Sequence, residues 1–128
     1  MVKIIDLETI KAVYRPGRTI KVFTSPDTLD VSNVTQGVVW FEPGEVSKPC
    51  HAHLVSEETL YIIKGRGQVY VDGNLADIKY GTVVHFPKGS KHMIRNTGSQ
   101  VLEILFTVIP PIIPENDVYY ESIEFPEA

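Results

Sequence analysis

Three side chains able to bind a metal ion lie close together in the segment 43–67. His51 and His53 are separated by one residue, so on a β-strand both imidazoles point to the same face. Glu58 precedes Leu60 and Ile62 at the spacing of one strand face. A carboxylate that faces inward with apolar residues is costly unless a positive charge meets it. Two imidazoles and one carboxylate that converge on one point suggest a metal ion.

A further candidate donor, His92, follows in the segment 81–96. The turn Pro87-x-Gly89 reverses the chain before it, because proline fixes φ and glycine supplies backbone freedom. This turn fixes where the returning strand starts, and His92 opens that strand. If the two hairpins meet, His92 could complete a set of three imidazoles and one carboxylate. Without such partners, a lone His-x-His could equally be a pair of surface polar residues beside a loop.

The first of these segments resembles the first sequence motif of the cupin superfamily. That motif is a glycine, His-x-His, three or four residues, a glutamate, six residues and a glycine. The chain matches it with His51-x-His53, four residues, Glu58, six residues and Gly65. One departure is that Gly44 stands six residues before His51, where the family pattern has five.

The second segment resembles the second cupin motif at every position. That motif is a glycine, five residues, Pro-x-Gly, two residues, a histidine, three residues and an asparagine. The matching residues are Gly81, Pro87, Gly89, His92 and Asn96. The resemblance covers roughly residues 35–108, and two motifs in the right order make it specific.

The resemblance implies a small single-domain (type-2) cupin, which is an all-β double-stranded β-helix or jelly-roll barrel. It also implies a divalent metal held inside the barrel by His51, His53, Glu58 and His92. Glu57 is the alternative carboxylate, but it lies one residue too far from the closing glycine of the motif. Strand parity also turns Glu57 away from the face of Glu58, so we predict Glu58 as the ligand.

The implied ligand set determines which metals and reactions we expect. With a divalent ion, three neutral imidazoles and one carboxylate suit Mn, Fe, Ni, Co, Zn or Cu and do not suit Ca. Four protein donors on a six-coordinate ion would leave two positions open for water, dioxygen or a bidentate substrate. We therefore predict a metal-dependent enzyme acting on a small oxygenated acid, of dioxygenase, decarboxylase, lyase or isomerase type.

Other functions stay open at this stage. A non-catalytic binding module could hold a small ligand or sugar, with a metal that is only structural. A sugar isomerase or epimerase is a third hypothesis, for which we would expect more charged residues along the strands. The catalytic residues are unknown, because spacing alone favours none of the candidate general acids and bases. Those candidates are Glu57, Tyr61, His85 and Glu103.

Several other side chains have simpler interpretations. Cys50 adjoins His51 and should face the opposite way as a packed small hydrophobic residue. We expect His85 on the outer face or at an interface, and Asn96 and Gly65 to shape turns. Aromatic side chains are expected in the core or at an interface, namely Trp40, Phe41, Tyr61 and Tyr70.

Three basic residues precede the segment covered by the resemblance, namely Arg15, Arg18 and Lys21. Charges of this kind are usually solvated. However, the planar fork of an arginine suits a carboxylate, so one of these side chains could reach a substrate acid.

Taken in order, the chain predicts many short strands and almost no helix. Residues 5–12 could form one helical turn, 14–17 a turn and 25–34 a loop. About ten strands at a spacing of roughly 8–12 residues are typical of a sandwich or barrel. The longest apolar run, 100–109, should be a buried strand near the centre of a sheet. The predicted strands are 19–24, 35–42, 49–53, 57–63, 68–71, 75–79, 82–86, 91–95 and 100–109, with a last edge strand in 118–125.

We expect three regions within one domain. These are an N-terminal strand and loop extension (1–34), a cupin barrel core (35–109) and a C-terminal extension with an edge strand (110–128). Cupins often pair through exchanged N-terminal strands or sheet faces, so the resemblance also implies a homodimer.

Composition limits the partners that we expect. The 128 residues are 43% hydrophobic and 22% charged, with a formal charge of −4, which gives no basic face for nucleic acid. No apolar run reaches the length of a membrane span, and the first residues lack the layout of a signal peptide. The single cysteine cannot form an intrachain disulfide, so we expect a cytoplasmic protein. The partner that we expect is a small-molecule substrate.

Overall fold

Two antiparallel sheets face each other in the computed structural model, which describes residues 1–127. Single 3-10 turns at Leu7–Thr9 and Pro114–Asn116 are the helical elements of that part of the chain. None of its helical segments has the length and apolar character needed to cross a membrane. The strands are β1 (Val13–Arg15), β2 (Arg18–Val22), β3 (Thr35–Phe41), β4 (Cys50–His53), β5 (Glu57–Lys64), β6 (Arg66–Val71), β7 (Asn74–Lys79), β8 (Val83–Phe86), β9 (His92–Asn96), β10 (Leu102–Ile109) and β11 (Asp117–Tyr120).

The strand order confirms the predicted jelly-roll barrel. One sheet has the order β1-β2-β3-β10-β5-β8, and the other has the order β11-β4-β9-β6-β7. The chain crosses repeatedly between the two sheets, so their inner faces enclose a common core. As expected for the longest apolar run, β10 lies inside its sheet, between β3 and β5.

Alternation along β5 determines which side chains enter the core. Glu58, Leu60 and Ile62 are buried, whereas their neighbours Glu57 and Thr59 are exposed on the outer face. Ile62 is fully buried, and burial of such a side chain stabilises the fold by about 1.5–3 kcal/mol. The predicted strand parity is therefore confirmed, including the inward direction of Glu58.

The N-terminal part differs from the sequence prediction. We predicted a turn over 14–17, but Val13–Arg15 forms β1, and Pro16-Gly17 joins it to β2. All three residues of β1 are exposed, so they show no alternation of burial, and only the pairing with β2 makes them a strand. The helical turn expected in 5–12 is present at Leu7–Thr9, and Lys21 Nζ donates a hydrogen bond to the Leu7 carbonyl (3.0 Å).

The last predicted strand also differs in extent. Regular pairing covers Asp117–Tyr120 only, and this β11 adds to the edge of β4. The residues after it turn back across the outer face of the same sheet, where the Arg95 guanidinium lies 4.5 Å from the centroid of the Phe125 ring. Cys50 precedes His51 on β4, so it faces the opposite side of the strand as predicted, and it is completely buried.

Candidate metal centre

The strands β4, β5 and β9 bring the four predicted donors to one place between the sheets. β4 carries His51 and His53 on its inner face, and it pairs with β9 at His51 opposite His92. β5 belongs to the facing sheet and presents Glu58. Glu58 Oε1 lies 3.3 Å from His53 Nε2 and 3.4 Å from His92 Nε2.

The three imidazoles are arranged so that they can bind one metal ion. One ring nitrogen from each of His51, His53 and His92 lies within 4.8 Å of the others. The His92 ring is also stacked on Phe86, with ring centroids 4.2 Å apart. That contact fixes the plane of the imidazole before any ligand binds.

Hydrogen bonds at the opposite ring nitrogen orient each imidazole. His53 Nδ1 lies 2.6 Å from Asp117 Oδ1. In His51 and His92, Nδ1 lies 3.4 Å and 3.1 Å from the backbone carbonyl two residues earlier. These oxygens can only accept from the imidazoles, so in its neutral form each imidazole donates from Nδ1 and keeps the lone pair of Nε2 for the shared centre. Metal-binding histidines in proteins are held in this way.

Two buried atoms at the centre have no hydrogen-bond partner among residues 1–127. They are Glu58 Oε1 and His92 Nε2, which face each other without the geometry of a hydrogen bond. Buried polar atoms are nearly always satisfied, and an unsatisfied one calls for an explanation such as an ion. A divalent cation between them would satisfy both, so the donor set fits the metal that the resemblance implies.

The electrostatics of the centre suit a cation. Burial, followed by the charges of His92 and His53, lowers the pKa of His51 to about 3, so this ring is neutral. Burial alone would raise the pKa of Glu58, but the adjoining imidazoles of His53 and His92 lower it to about 2. Burial alone would likewise lower the pKa of His53, yet the carboxylates of Glu58 and Asp117 raise it.

A cavity of about 190 Å³ opens beside the donors. Arg15, Arg18 and Tyr119 line it together with the donors and Asp117, and the exposed Arg15 and Tyr119 belong to its solvent side. The remaining walls are mainly apolar, which strengthens electrostatic interactions inside by lowering the local dielectric. These walls are formed by Ile20, Val22, Val39, Phe41, Leu60, Ile94, Phe106, Val108 and Ile112.

The β1–β2 hairpin supplies both arginines of the cavity. Arg15 and Arg18 are Cα partners in that hairpin, and Arg18 Nη1 donates to the carbonyls of Pro16 (3.0 Å) and Lys48 (3.3 Å). Burial, followed by the charge of Arg15, lowers the pKa of Arg18. Of the three basic residues considered above, Lys21 is directed elsewhere, to the N-terminal turn.

The structure does not bring the candidate acids and bases from the sequence into this cavity. His85 Nε2 and Glu57 Oε1 lie 2.7 Å apart on the outer face of the sheet. Tyr61 is exposed on the same face, and Glu103 accepts a hydrogen bond from Trp40 Nε1 (2.7 Å). Their strand positions alternate with those of the inward residues, so parity alone could have excluded them.

Sequence reasoning missed two residues of the site, Asp117 and Tyr119. Both lie on β11, where they are the Cα partners of His53 and His51. Their spacing of two residues was a signal that they share a strand face. The sequence did not reveal which strand they would join.

Comparison with known proteins gives the family. The cupin domain family matches residues 37–108, which is more than half of the chain. A polyketide synthase protein, CurC of Streptomyces cyaneus, is 25% identical over 97% of this chain and 79% of its own length. An uncharacterised protein of Methanocaldococcus jannaschii is 36% identical over 52% of this chain and 53% of its own length.

Solved structures agree with the fold. Pac13 of Streptomyces, a nucleoside dehydratase, superposes with a TM-score of 0.76 at 17% identity, covering 93% of this chain and 91% of that chain. A predicted oxalate decarboxylase of Thermotoga maritima has a TM-score of 0.72 at 25% identity, covering 86% of this chain and 99% of that chain. The motifs, the two-sheet barrel and the family match together establish that this chain belongs to the cupin domain family.

Proposed function

We propose that the chain is a metal-dependent enzyme that acts on a small oxygenated acid. In this proposal a divalent transition metal is held by His51, His53, Glu58 and His92. The observation that carries it is the convergence of three imidazole nitrogens within 4.8 Å of one another, in a cavity that two arginines also line. When bound, the metal would act as a Lewis acid that stabilises negative charge on a substrate oxygen.

The arginines support the choice of an acid as substrate. Within the described part of the chain, Arg18 makes its hydrogen bonds through Nη1, which leaves the other donors of the fork for a ligand. A guanidinium binds a carboxylate with charge-assisted hydrogen bonds, often two in parallel. Arg15 adds a second positive charge at the same cavity. The acid would therefore be held between the arginines and the donor cluster.

The position of Tyr119 supports a role for its phenol in proton transfer at the cavity. Its ring centroid lies 6.2 Å from that of His51, and the side chain is 57% exposed. Among the described lining residues, it is the phenol placed to hold a proton and exchange it with solvent. The apolar walls meanwhile limit the water that reaches the centre.

Cavity size supports a small substrate. A volume of about 190 Å³ is below the roughly 300–1,000 Å³ of sites for drug-sized ligands. An oxalate-sized acid fits such a space better than an extended polyketide, although the relative CurC is named as a polyketide synthase protein. The similarity to a predicted oxalate decarboxylase is in line with this choice.

Metal analysis of matched histidine variants tests the proposal. We expect the purified protein to contain about one transition metal per chain, and both His51→Ala and His92→Ala to lose the metal and turnover together. His85→Ala is the matched control, because it removes an imidazole from the outer face. Equal metal content in all three variants would refute the ligand set.

A panel of small acids, assayed with and without dioxygen, tests the reaction class. α-Hydroxy acids, α-keto acids and short diacids are the substrates to include, since each can chelate two adjacent metal positions. Oxygen uptake would indicate a dioxygenase, and turnover without oxygen would indicate a decarboxylase, lyase or isomerase. Ligand affinity that is unchanged after metal removal, with no turnover, would instead favour the non-catalytic binding module.

A further inference from the structure

We propose that Asp117 is a positioning residue for the metal centre, through its hydrogen bond with His53. Its carboxylate would hold the imidazole in the tautomer and orientation in which Nε2 binds the ion. This inference rests on the proposed ligand set and adds to it a residue that lies outside the segment 37–108 matched by the family. The C-terminal segment would then be a working part of the site.

The contact between the two side chains is short and enclosed. Asp117 Oδ1 lies 2.6 Å from His53 Nδ1, and the two side chains are 8% and 9% exposed. A buried carboxylate is costly unless a strong donor meets it, so this geometry favours a charge-assisted hydrogen bond from Nδ1–H. The other ring nitrogen of His53 is then directed at the centre, 3.3 Å from Glu58 Oε1.

Backbone pairing fixes where this carboxylate lies. Asp117 is the Cα partner of His53 in the antiparallel β11–β4 ladder, and the amide of Leu54 donates to the carbonyl of Asn116 (2.8 Å). Because the two residues are paired, any rotation of the imidazole would break a bond that the ladder holds in place. Asp117 thus controls the ring directly and not through a flexible loop.

Two cation–π contacts hold the rest of the segment against the barrel. Lys91 Nζ lies 4.7 Å from the centroid of the Tyr120 ring, and the Arg95 guanidinium lies 4.5 Å from that of Phe125. Tyr120 is the last residue of β11 and Phe125 lies beyond it, so both contacts come after Asp117 in the chain. Together with the hydrogen bond to the carbonyl of Asn116, they attach the segment on both sides of Asp117.

His53 differs from the other two imidazoles in its partner. His51 and His92 face neutral backbone carbonyls at 3.4 and 3.1 Å, whereas His53 faces a carboxylate. An anionic partner raises the basicity of a ligating imidazole, and removal of such a partner typically lowers metal affinity 10–100-fold. We therefore expect Asp117 to have the largest effect of the three outer partners.

Cobalt binding tests this role without any measurement of turnover. The metal-free chain is titrated with Co²⁺ against a chromophoric chelator, and the d–d absorption band is recorded. We expect Asp117→Ala to weaken Co²⁺ binding by roughly 10–100-fold and to shift the band. Asp117→Asn should be intermediate, because its amide oxygen still accepts from Nδ1–H but carries no charge. Glu121→Gln, an exposed acidic residue in the turn after β11, should match the wild type.

The outcomes separate this inference from the proposed function. A wild-type chain that binds no Co²⁺ would overturn the ligand set, and the role of Asp117 with it. A wild-type chain that binds Co²⁺, together with an Asp117→Ala variant of equal affinity and spectrum, would overturn the role of Asp117 alone. If Asp117→Ala does not fold, Asp117→Asn decides, and an unchanged affinity and band in that variant would overturn the inference.

Discussion

Replacing Gly17 by alanine should displace the hairpin that brings two arginines to the cavity. Gly17 has a φ of +82°, a left-handed conformation that costs an alanine about 1–2 kcal/mol. A Cβ there would also lie 1.8 Å from the carbonyl oxygen of Val46 and 2.7 Å from its carbon. Because both atoms belong to the backbone, they cannot swing aside as a flexible side chain would. The tip of the hairpin must therefore move.

Gly73 offers a matched control that separates the two costs. It has a φ of +93°, and a Cβ added there would meet no atom of the described residues within 4 Å. Gly73→Ala should therefore cost only the conformational term of about 1–2 kcal/mol. Gly17→Ala should cost a further 1–3 kcal/mol or so from overpacking, a large share of the roughly 5–15 kcal/mol that stabilises a domain.

Urea denaturation of the metal-free variants, followed by far-UV circular dichroism, measures both free energies of unfolding. Titration with Co²⁺ and with a small acid such as oxalate measures the effect on the site. We expect Gly17→Ala to weaken binding of the acid more than binding of the metal, since Arg15 and Arg18 flank the displaced turn. Equal destabilisation of the two glycine variants would refute the argument, because it would mean that the Val46 backbone yields without cost.

Three further predictions follow from the site and its supports. At pH values below the raised pKa of His53, metal binding should release a proton, because Nε2 must lose its proton to bind the ion. Calorimetry in buffers of different ionisation enthalpy measures the number of protons released. The His53 contribution to metal-free stability is present below its ordinary pKa and is lost as pH rises through the raised pKa. The Glu58 contribution to stability is lost as pH falls from 4.5 towards about 2. The melting temperature of the metal-free protein should therefore decrease both towards acidic and towards alkaline pH. Asn96→Ala should lower the free energy of unfolding by about 2–4 kcal/mol, because Asn96 Nδ2 donates to the carbonyls of Phe41 and Gln100 (both 2.8 Å). These hydrogen bonds lie away from the metal donors, so Co²⁺ affinity should be unchanged. Urea denaturation and Co²⁺ titration check the two results. We also propose that the chain is a homodimer, and a light-scattering mass equal to the 14.3 kDa monomer would contradict it.

The sequence was most informative where periodicity and spacing act over short distances. His51 and His53 share a face because a strand alternates, and the Pro87-x-Gly89 turn sets the start of the strand that His92 opens. The same rule directed Glu58 inward and Glu57 outward, as the structure has them. Local geometry thus determined the direction of each donor, and the family resemblance supplied the fact that the two hairpins meet.

Long-range pairing was beyond what the sequence could indicate. Asp117 reaches His53, which lies 64 positions earlier in the chain, because β11 joins the edge of β4, and no local pattern specifies that partner. The short strand β1 was missed for a related reason. Its side chains are all exposed, so no burial pattern marks it, and the position of Arg15 at the cavity depends on the pairing with β2.

The location of the donors connects the stability of the barrel with its proposed chemistry. β4 and β9 pair at the single position His51–His92, and this splayed junction leaves room for the two imidazoles, with ring centroids 4.4 Å apart, and for the cavity beside them. Glu58 approaches from the other sheet, so an ion at this point would tie β4, β5 and β9 together. An ion that binds only the folded state stabilises that state. The gain in local order should be largest for the strands that share the fewest hydrogen bonds. The opening proposed to admit a substrate is therefore also the part of the fold that an ion would stabilise most.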